Sequence, residues 1–266
     1  DTGMASGSYS ETNVRQEGVD EGDTAKTDGT YLYVLKDKSD QIAIIDTRDN
    51  RMKQTATITV EDVSEIQEMY LDIERNQLIA VCDGYVGGKW NDDDYGYGQR
   101  ANTTAVTYDI SDRENPKEVG RVSQSGYYNS SRIADGYLYL FSDYYVTLDG
   151  ITAKNPKSYI PLVNDNLIKE TDICLPSISK ADMYSIITSV SLENPNETAH
   201  SKALLADGGN LYVSNDNIYF YENVWQYSGK DVTTIRKVSY ESGELTAGAQ
   251  CKIDGYINDS FSIDEY

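Results

Sequence analysis

The stretch Ala134-Asp135-Gly136-Tyr137-Leu138-Tyr139-Leu140-Phe141 joins a polar turn to a short strand of aromatic and aliphatic residues. The same order occurs at Thr27–Leu35, and looser copies occur at Glu74–Val81 and Ala206–Val213. Asp and Gly suit the turn because Asp bonds its own backbone and Gly accepts a positive φ, while Tyr, Leu and Val suit a pleated strand. A phrase that recurs in this way predicts a repeat architecture.

The spacing of the copies indicates which architecture repeats. The strands begin at Tyr31, Leu78, Tyr137 and Leu211, so successive copies are 47, 59 and 74 residues apart. The shortest spacing fits the ~40–50 residues of one four-stranded propeller blade, and the longer ones fit blades with loop insertions. We therefore predict an all-β fold: a β-propeller of four-stranded blades, with about four blades plus the first strand of a fifth, as part of a larger propeller.

The predicted organisation has two parts. Residues 1–23 form an N-terminal linker and pre-blade segment, and residues 24–266 form the propeller. The predicted blades are about 24–62, 63–126, 127–206 and 207–254, and the next blade starts at 255–266. The long insertion at about 143–182 is expected to pack over one face of the ring, or to contain a short helix or an extra hairpin.

Composition excludes several classes of partner. The 266 residues carry a formal net charge of -21 with a sequence pI near 4.3, which argues against nucleic acid and anionic membranes because both would be repelled. Such acidity suits solubility in a salty or extracellular setting, and alternatively a field that gathers cations such as Ca²⁺. The three cysteines show no C-x-x-C spacing, so zinc and iron–sulfur centres are not expected.

The residues needed for most catalytic sites are missing from the sequence. His200 is the only histidine, so a Ser–His–Asp triad would need it as the base, yet it lies in a predicted strand and the sequence has no G-x-S-x-G elbow. A single histidine also excludes a histidine-based metal site. Asp28, Asp135 and Asp207 each precede a glycine, and turn chemistry explains that position. We predict no catalytic residue and regard an enzyme as the less favoured class, although abundant carboxylates leave a glycosidase-like acid and base pair open.

Two loops carry the best candidates for ligand binding. Trp90, Tyr95 and Tyr97 lie in the loop that follows the second strand of unit two, and Trp225 and Tyr227 lie in the corresponding loop of unit four. Flat aromatic rings beside Asp and Asn side chains suit sugar stacking or a protein contact. Packing within the loops is the alternative role for these rings.

The first of these loops also carries the candidate metal ligands. Asp92, Asp93 and Asp94 offer a dense set of the hard oxygen ligands that Ca²⁺ prefers. They lack the ligand spacing of an EF-hand, and a solvated acidic loop is the alternative. Ca²⁺ is therefore the one candidate in a protein for which we otherwise predict no cofactor.

A second acidic cluster, Asp20, Glu21 and Asp23, precedes the first blade. It could cap the ring, accept backbone hydrogen bonds from a neighbouring blade, or bind a cation. We favour a structural role for this pre-blade cluster.

Short phrases spread over nearly the whole chain carry a family resemblance. They are Tyr9–Val14, Gly18–Asp23, Lys26–Gly29, Tyr108–Asp112, Gln124–Tyr128, Asp135–Tyr139, Leu211–Ser214 and Phe261–Tyr266. In this order they resemble bacterial secreted proteins containing a β-propeller domain that is distantly related to WD-40 repeats. The resemblance implies export, often with an N-terminal membrane anchor outside this chain, and it implies no reaction. Members continue beyond the last phrase, so we expect the chain to be the N-terminal part of the propeller.

Three functions remain open on this basis. The first is an extracytoplasmic binding module, secreted or anchored at the cell surface, whose loops hold a protein or a glycan. The second is a carboxylate-dependent carbohydrate-active enzyme, assisted by Ca²⁺. The third is a structural spacer. Membrane association is expected only through an anchor outside this chain.

The calcium hypothesis yields a direct test. If Asp92, Asp93 and Asp94 bind Ca²⁺, millimolar Ca²⁺ should raise the melting temperature, because a ligand that binds only the folded state stabilises it. Asp93→Asn should abolish the rise by removing one charged ligand. Scanning calorimetry with Ca²⁺ or an equal concentration of Mg²⁺ measures the effect, and an unchanged wild-type melting temperature would remove this site.

Overall fold

The computed structural model describes residues 15–37, 39–48, 52–85, 101–146, 151–175, 182–206, 209–225 and 231–265. Within these ranges the chain forms nineteen strands in four sheets, and its only helices are 3₁₀ turns. Accordingly, none of the described helices has the length and hydropathy needed to cross a membrane.

Each sheet contains four long or inner strands hydrogen bonded in chain order, to which short strands add at the outer edge of two sheets, and we call the four-stranded units blades one to four. Blade one contains β1 (Ala25–Thr27), β2 (Tyr31–Leu35), β3 (Gln41–Asp46) and β4 (Lys53–Thr59). Blade two contains β5 (Glu65–Asp72), β6 (Gln77–Tyr85), β7 (Ala101–Asp109) and β8 (Lys117–Ser125). Blade three contains β9 (Tyr127–Ala134), β10 (Tyr137–Tyr145), β14 (Met183–Ser191) and β15 (Thr198–Ala206). Between β10 and β14 the chain forms three short strands, β11 (Leu162–Val163), β12 (Asn166–Leu167) and β13 (Ile173–Cys174). Blade four contains β16 (Asn210–Val213), β17 (Asn217–Trp225), β18 (Asp231–Glu241) and β19 (Glu244–Asp254).

The predicted β-propeller fold of four-stranded blades is confirmed by this arrangement, and two details differ from the sequence prediction. A short inner strand, β1, precedes the strand that the sequence predicted to begin at Tyr31. The tail, where we expected a further blade to start, contains a 3₁₀ turn at Ser260–Ser262 and no strand among residues 255–265.

The second strand of a blade is buried on both faces. Along β6, Leu78 and Ala80 pack towards blade one, whereas Ile79 and Val81 pack towards blade three. Side chains alternate between the two faces of a strand, so a sheet held between two neighbours needs a continuous apolar run. This requirement explains why the repeated phrase reads as uninterrupted aromatic and aliphatic residues.

The turn inside the repeated phrase has the geometry that its residues predict. Asp135 and Gly136 have φ values of 51° and 77°, and they join β9 to β10 as a two-residue hairpin. Positive φ at both central residues is typical of a type I′ turn, for which Asp-Gly is a preferred pair. At the corresponding turn of blade one, the Asp28 carboxylate accepts hydrogen bonds from the N–H groups of Thr30 and Tyr31.

The long insertion of blade three covers the outer edges of two blades. Of the alternatives expected for it, it contains the extra hairpin, formed by β11 and β12. This hairpin joins the outer edge of blade two through Val163 opposite Gln124, and β13 pairs in parallel with β15 of blade three. An exposed strand edge is a template for unwanted pairing, so the insertion protects both edges.

Residues 15–23, which we call the inner strap, run along the innermost strands. Asp20 exchanges two backbone hydrogen bonds with Ile133 on β9, with N···O distances of 2.8 and 3.0 Å. Asp23 exchanges two with Met69 on β5, at 3.1 and 3.0 Å. Val19 is 2% exposed and packs in the apolar cluster between blades three and four. The inner strap therefore belongs to the folded core.

We expect Val19→Ala to lower the free energy of unfolding by about 1–3 kcal/mol, because it removes buried methyl groups and leaves a cavity. Urea denaturation followed by tyrosine fluorescence measures the change. Val119→Ala on β8 is the matched control, since Val119 is 37% exposed and should change stability little. Equal effects of the two substitutions would contradict a core role for the inner strap.

Candidate functional site

The connections between second and third strands all leave the same face of the propeller, which we call the loop face. They include residues 86–100, 146–182 and 226–230. The opposite face, which we call the turn face, carries the turns between first and second strands and between third and fourth strands. Function in a propeller is usually carried by its loops, so the loop face is the first place to look for a site.

The sequence-predicted loop residues are only partly located by the structure. Trp90, Tyr95, Tyr97 and Tyr227, together with Asp92, Asp93 and Asp94, lie outside the described residues. Trp225 was expected in a loop, but it is the last residue of β17, and only its backbone is described. Both predicted aromatic loops connect strands at the loop face.

A repeated pair of residues ends the second strand of three blades, directly beneath the loops. Each strand has nine residues, with Asp or Asn at the seventh position and Tyr or Trp at the ninth. We call these pairs the exit motif: Asp83 and Tyr85, Asp143 and Tyr145, and Asn223 and Trp225. Residues two apart on a strand share one face, so Asp83 and Tyr85 lie on one side of blade two, and Asp143 and Tyr145 lie on one side of blade three.

The polar member of the exit motif fastens its blade to the segment that follows. The Asp83 carboxylate accepts hydrogen bonds from the backbone N–H of Tyr128 at 2.8 Å and from the Gln67 amide at 2.9 Å. In blade four, the Asn223 side chain donates to the carbonyl of Ile257 and accepts from its N–H. These bonds join blade two to blade three, and blade four to the chain beyond it.

Asp143 makes the corresponding connection from blade three to blade four. It accepts hydrogen bonds from the Asn129 amide at 2.7 Å and from the Ser185 hydroxyl at 3.1 Å. The same Asn129 amide donates to the carbonyl of Gly209, just before blade four, at 2.5 Å. A Cβ at Gly209 would lie 2.2 Å from a carboxylate oxygen of Asp143, so this close approach requires glycine.

Burial shifts the two carboxylates of the exit motif in the same direction. Desolvation raises the pKa of Asp143 above its ordinary value, against its two hydrogen bonds. Desolvation also raises the pKa of Asp83, with a further contribution from Glu65. Both groups are thus held in places that disfavour their charged form.

Three tyrosines lie close to these carboxylates at the loop face. Tyr127, the first residue of β9, lies opposite Asp143 in the pairing of β9 with β10. Burial raises the pKa of Tyr127, and the nearby Tyr85, Asp83 and Tyr145 raise it further. Tyr145 is 49% exposed, and Tyr85 and Tyr127 are half-buried. We call Tyr85, Tyr127 and Tyr145 the aromatic rim.

The pre-blade acidic cluster lies in the inner strap, away from the aromatic rim. The Glu21 carboxylate is 3.3 Å from the Arg132 guanidinium, and the Asp20 carboxylate is 3.6 Å from the Lys26 ammonium. Asp23 uses its backbone to pair with β5 and its carboxylate to accept from the N–H of Thr24. In the described part of the chain, no group of three or more His, Cys, Asp or Glu side chains is arranged for a metal ion.

Next to the inner strap, the polar side chains of Glu68, Tyr70 and Ser131 form hydrogen bonds with one another. Ser131 and Tyr70 both donate hydrogen bonds to the Glu68 carboxylate, and the Ser131 and Tyr70 hydroxyls are 2.9 Å apart. Burial, together with the negative charge of Glu68, raises the pKa of Tyr70. These contacts hold β5 to β9 across the inside of the ring.

The turn face carries a cavity of about 690 Å³ between blades three and four. Its described lining includes the four carboxylates Asp135, Asp216, Glu241 and Glu244. The cavity therefore concentrates negative charge on the face opposite the aromatic rim.

Sequence reasoning missed the exit motif. Its signal was present, because Asp or Asn and an aromatic residue stand at fixed distances from the start of the second strand in three blades. The signal emerges only when the strands are aligned by their first residues, since the loops that follow differ in length.

Comparison with known proteins covers families, curated proteins and solved structures. The model of a family described as a beta propeller domain matches residues 9–266. An uncharacterized protein of Methanocaldococcus jannaschii is 25% identical over 224 residues, which is 81% of this chain and 29% of that protein. A crystal structure of a protein from Lactobacillus plantarum aligns at a TM-score of 0.27 with 12% identity, over 84% of this chain and 68% of that chain.

The raised pKa of Asp143 predicts a pH dependence. As the pH falls, Asp143 takes up a proton in the folded state before it does so in the unfolded state. The free energy of unfolding of the wild type should therefore increase relative to that of Asp143→Asn between about pH 7 and about pH 4. The gain should be complete below the unfolded pKa. Urea denaturation across this range measures the difference in the free energy of unfolding.

Asp28→Asn is the control of opposite sign. Burial alone would raise the pKa of Asp28, but hydrogen bonds from Tyr31, Thr30 and Arg113 outweigh it and lower the pKa. The contribution of Asp28 is therefore present above its unfolded pKa and is lost as the pH falls through its folded value. If the two variants diverge from wild type in the same direction, the assignment of Asp143 is wrong.

Proposed function

The chain belongs to the beta propeller domain family, and from this premise we propose that it is a non-catalytic binding module that holds a protein or glycan partner on its loop face. The observation that carries the proposal is the aromatic rim, whose tyrosines lie at the loop-face ends of β6, β9 and β10, next to the carboxylates of the exit motif. Tyrosine supplies a large contact area at a low entropic cost, and it is enriched at positions that dominate binding energy.

The proposal extends to location and partners. An acidic chain of this kind suits an extracytoplasmic setting, in a secreted or surface-anchored protein of bacterial type, and the same charge disfavours nucleic acid. The chain spans 29% of the matched relative, which is therefore about three times as long as the matched region. In a protein of that length, further segments would contribute to binding.

Hydrolysis is the weaker alternative. A carboxylate-dependent carbohydrate-active enzyme needs an acid and a base that flank one bond of the substrate. Asp83 and Asp143 have raised pKa values, as a general acid would, but they fasten different pairs of blades. Each is also engaged by two donors of its own blade or its neighbour. This arrangement favours fixed charges over groups that exchange protons with a substrate.

A purely structural spacer is the second alternative. A spacer needs no aromatic residues at a solvent-facing rim, whereas here the exit motif places Tyr or Trp at the same position in three blades. Tyr145 leaves about half of its side chain exposed although burial would stabilise the fold. An exposed aromatic at a repeated position favours contact with a partner.

The proposal is tested by array binding. The immobilised chain should retain at least one component from a panel of cell-wall glycans, host glycans and surface proteins. Tyr145→Ala should weaken that binding about tenfold or more, because a central aromatic contact carries much of the binding energy. Met52→Ala is the control, since Met52 is 65% exposed on the turn face and should not change binding.

Two outcomes would contradict the proposal. In one, Tyr145→Ala and wild type bind the retained component equally. In the other, the retained glycan is cleaved, as shown by mass spectrometry of the released products, which would favour the carbohydrate-active enzyme.

A further inference from the structure

Three carboxylates lie near the aromatic rim. Tyr127 starts β9 between Asp83, which accepts from the next N–H along the chain, and Asp143, which faces it on β10. Tyr145 has Asp143 and Asp182 nearby, and both raise its pKa after the larger effect of burial. The neighbouring groups that raise the pKa values of Tyr127 and Tyr145 are phenols and carboxylates.

Each oxygen of the two exit-motif carboxylates already accepts a hydrogen bond from within the protein. Asp83 is engaged by Tyr128 and Gln67, and Asp143 by Asn129 and Ser185. A neutral sugar needs directed hydrogen bonds to its hydroxyl groups. A cation gains from the negative field and from the faces of the rings without displacing those internal donors.

We infer that the aromatic rim binds a cationic side chain, lysine or arginine, presented by a basic segment of a protein partner. The inference rests on the proposed function and names the ligand chemistry of the same face. The ring faces of Tyr127 and Tyr145 contact the ammonium or guanidinium group, and Asp83, Asp143 and Asp182 supply the charge that attracts it. Over longer distances, the net charge of -21 steers a basic protein towards this surface.

Charge-matched peptide pairs test the inference. The probes are a glycine pentapeptide with lysine at its centre and the same peptide with Nε-acetyl-lysine, together with a second pair carrying arginine or citrulline. Each pair differs in charge while keeping a similar shape. Amide and aromatic NMR shifts of the full chain report the binding site. We expect shifts at Tyr127 and Tyr145 and at least about tenfold tighter binding of the charged member of one pair.

Substitutions separate the aromatic rim from general attraction to an acidic protein. Tyr145→Leu should weaken binding about fivefold, whereas Tyr145→Phe should retain it because the ring face remains. Asp143→Asn should weaken binding by a similar factor. Glu197→Gln removes the same unit of charge from an exposed position on the turn face and should leave binding unchanged. Native amide spectra of each variant establish that it is folded.

The outcomes are distinct from those of the array test. Equal binding of charged and neutral peptides, no binding of either, or equal losses in Glu197→Gln and Asp143→Asn would overturn the inference. In those cases a neutral glycan that is retained in a Tyr145-dependent way would still support the proposed binding function. Loss of Tyr145 dependence for every array component would contradict both.

Discussion

The innermost strands of a propeller turn backbone donors and acceptors towards the axis, and the rest of this structure depends on how those groups are satisfied. A buried strand edge without partners loses the free energy of its hydrogen bonds. Here the inner strap pairs with Ile133 of blade three and Met69 of blade two. The Arg15 guanidinium fastens the start of the strap by donating to the carbonyls of Ser260 and Ile263, which follow blade four. One segment therefore links parts of the chain that are more than 200 residues apart in sequence.

At the loop face, the polar residues of the exit motif connect each blade to the segment that follows it. The charge of the residue that makes this connection differs between blades. Asn223 joins blade four to the following segment without any charge, so a neutral amide is sufficient for the structural task. Blades two and three instead use Asp83 and Asp143, whose charged forms are disfavoured by burial. Charged groups retained where a neutral group would serve are typical of functional positions, because function tolerates a stability cost there. This difference between blades supports placing the site beside blades two and three.

The sequence predicted the repeating part of the fold because local chemistry determines it. The Asp135-Gly136 turn and the apolar run that follows it are specified within eight residues, and the structure confirms the four-stranded sheets. The inner strap could not be predicted in the same way, since Asp20 pairs with a residue 113 positions away and its own side chain gives no sign of that pairing. The edge covering by β11 and β13 also depends on register with distant strands. The aromatic candidates were sought in loops, whereas the described part of the site lies in the strand ends that support those loops.

The carboxylates on the two faces of the ring differ in their exposure to solvent, and this difference affects how a partner would be recognised. On the turn face, four carboxylates line an open cavity of about 690 Å³, where solvent and salt weaken their field. On the loop face, Asp83 and Asp143 lie beside tyrosines and are held by part-buried hydrogen bonds, where screening is weaker. Diffuse charge of the first kind raises the rate of encounter with a basic partner but does not select an orientation. Fixed charge beside aromatic rings does select an orientation, because one cationic group of the partner must contact the rings and lie close to the carboxylates. Orientation of a bound partner should therefore be determined at the aromatic rim.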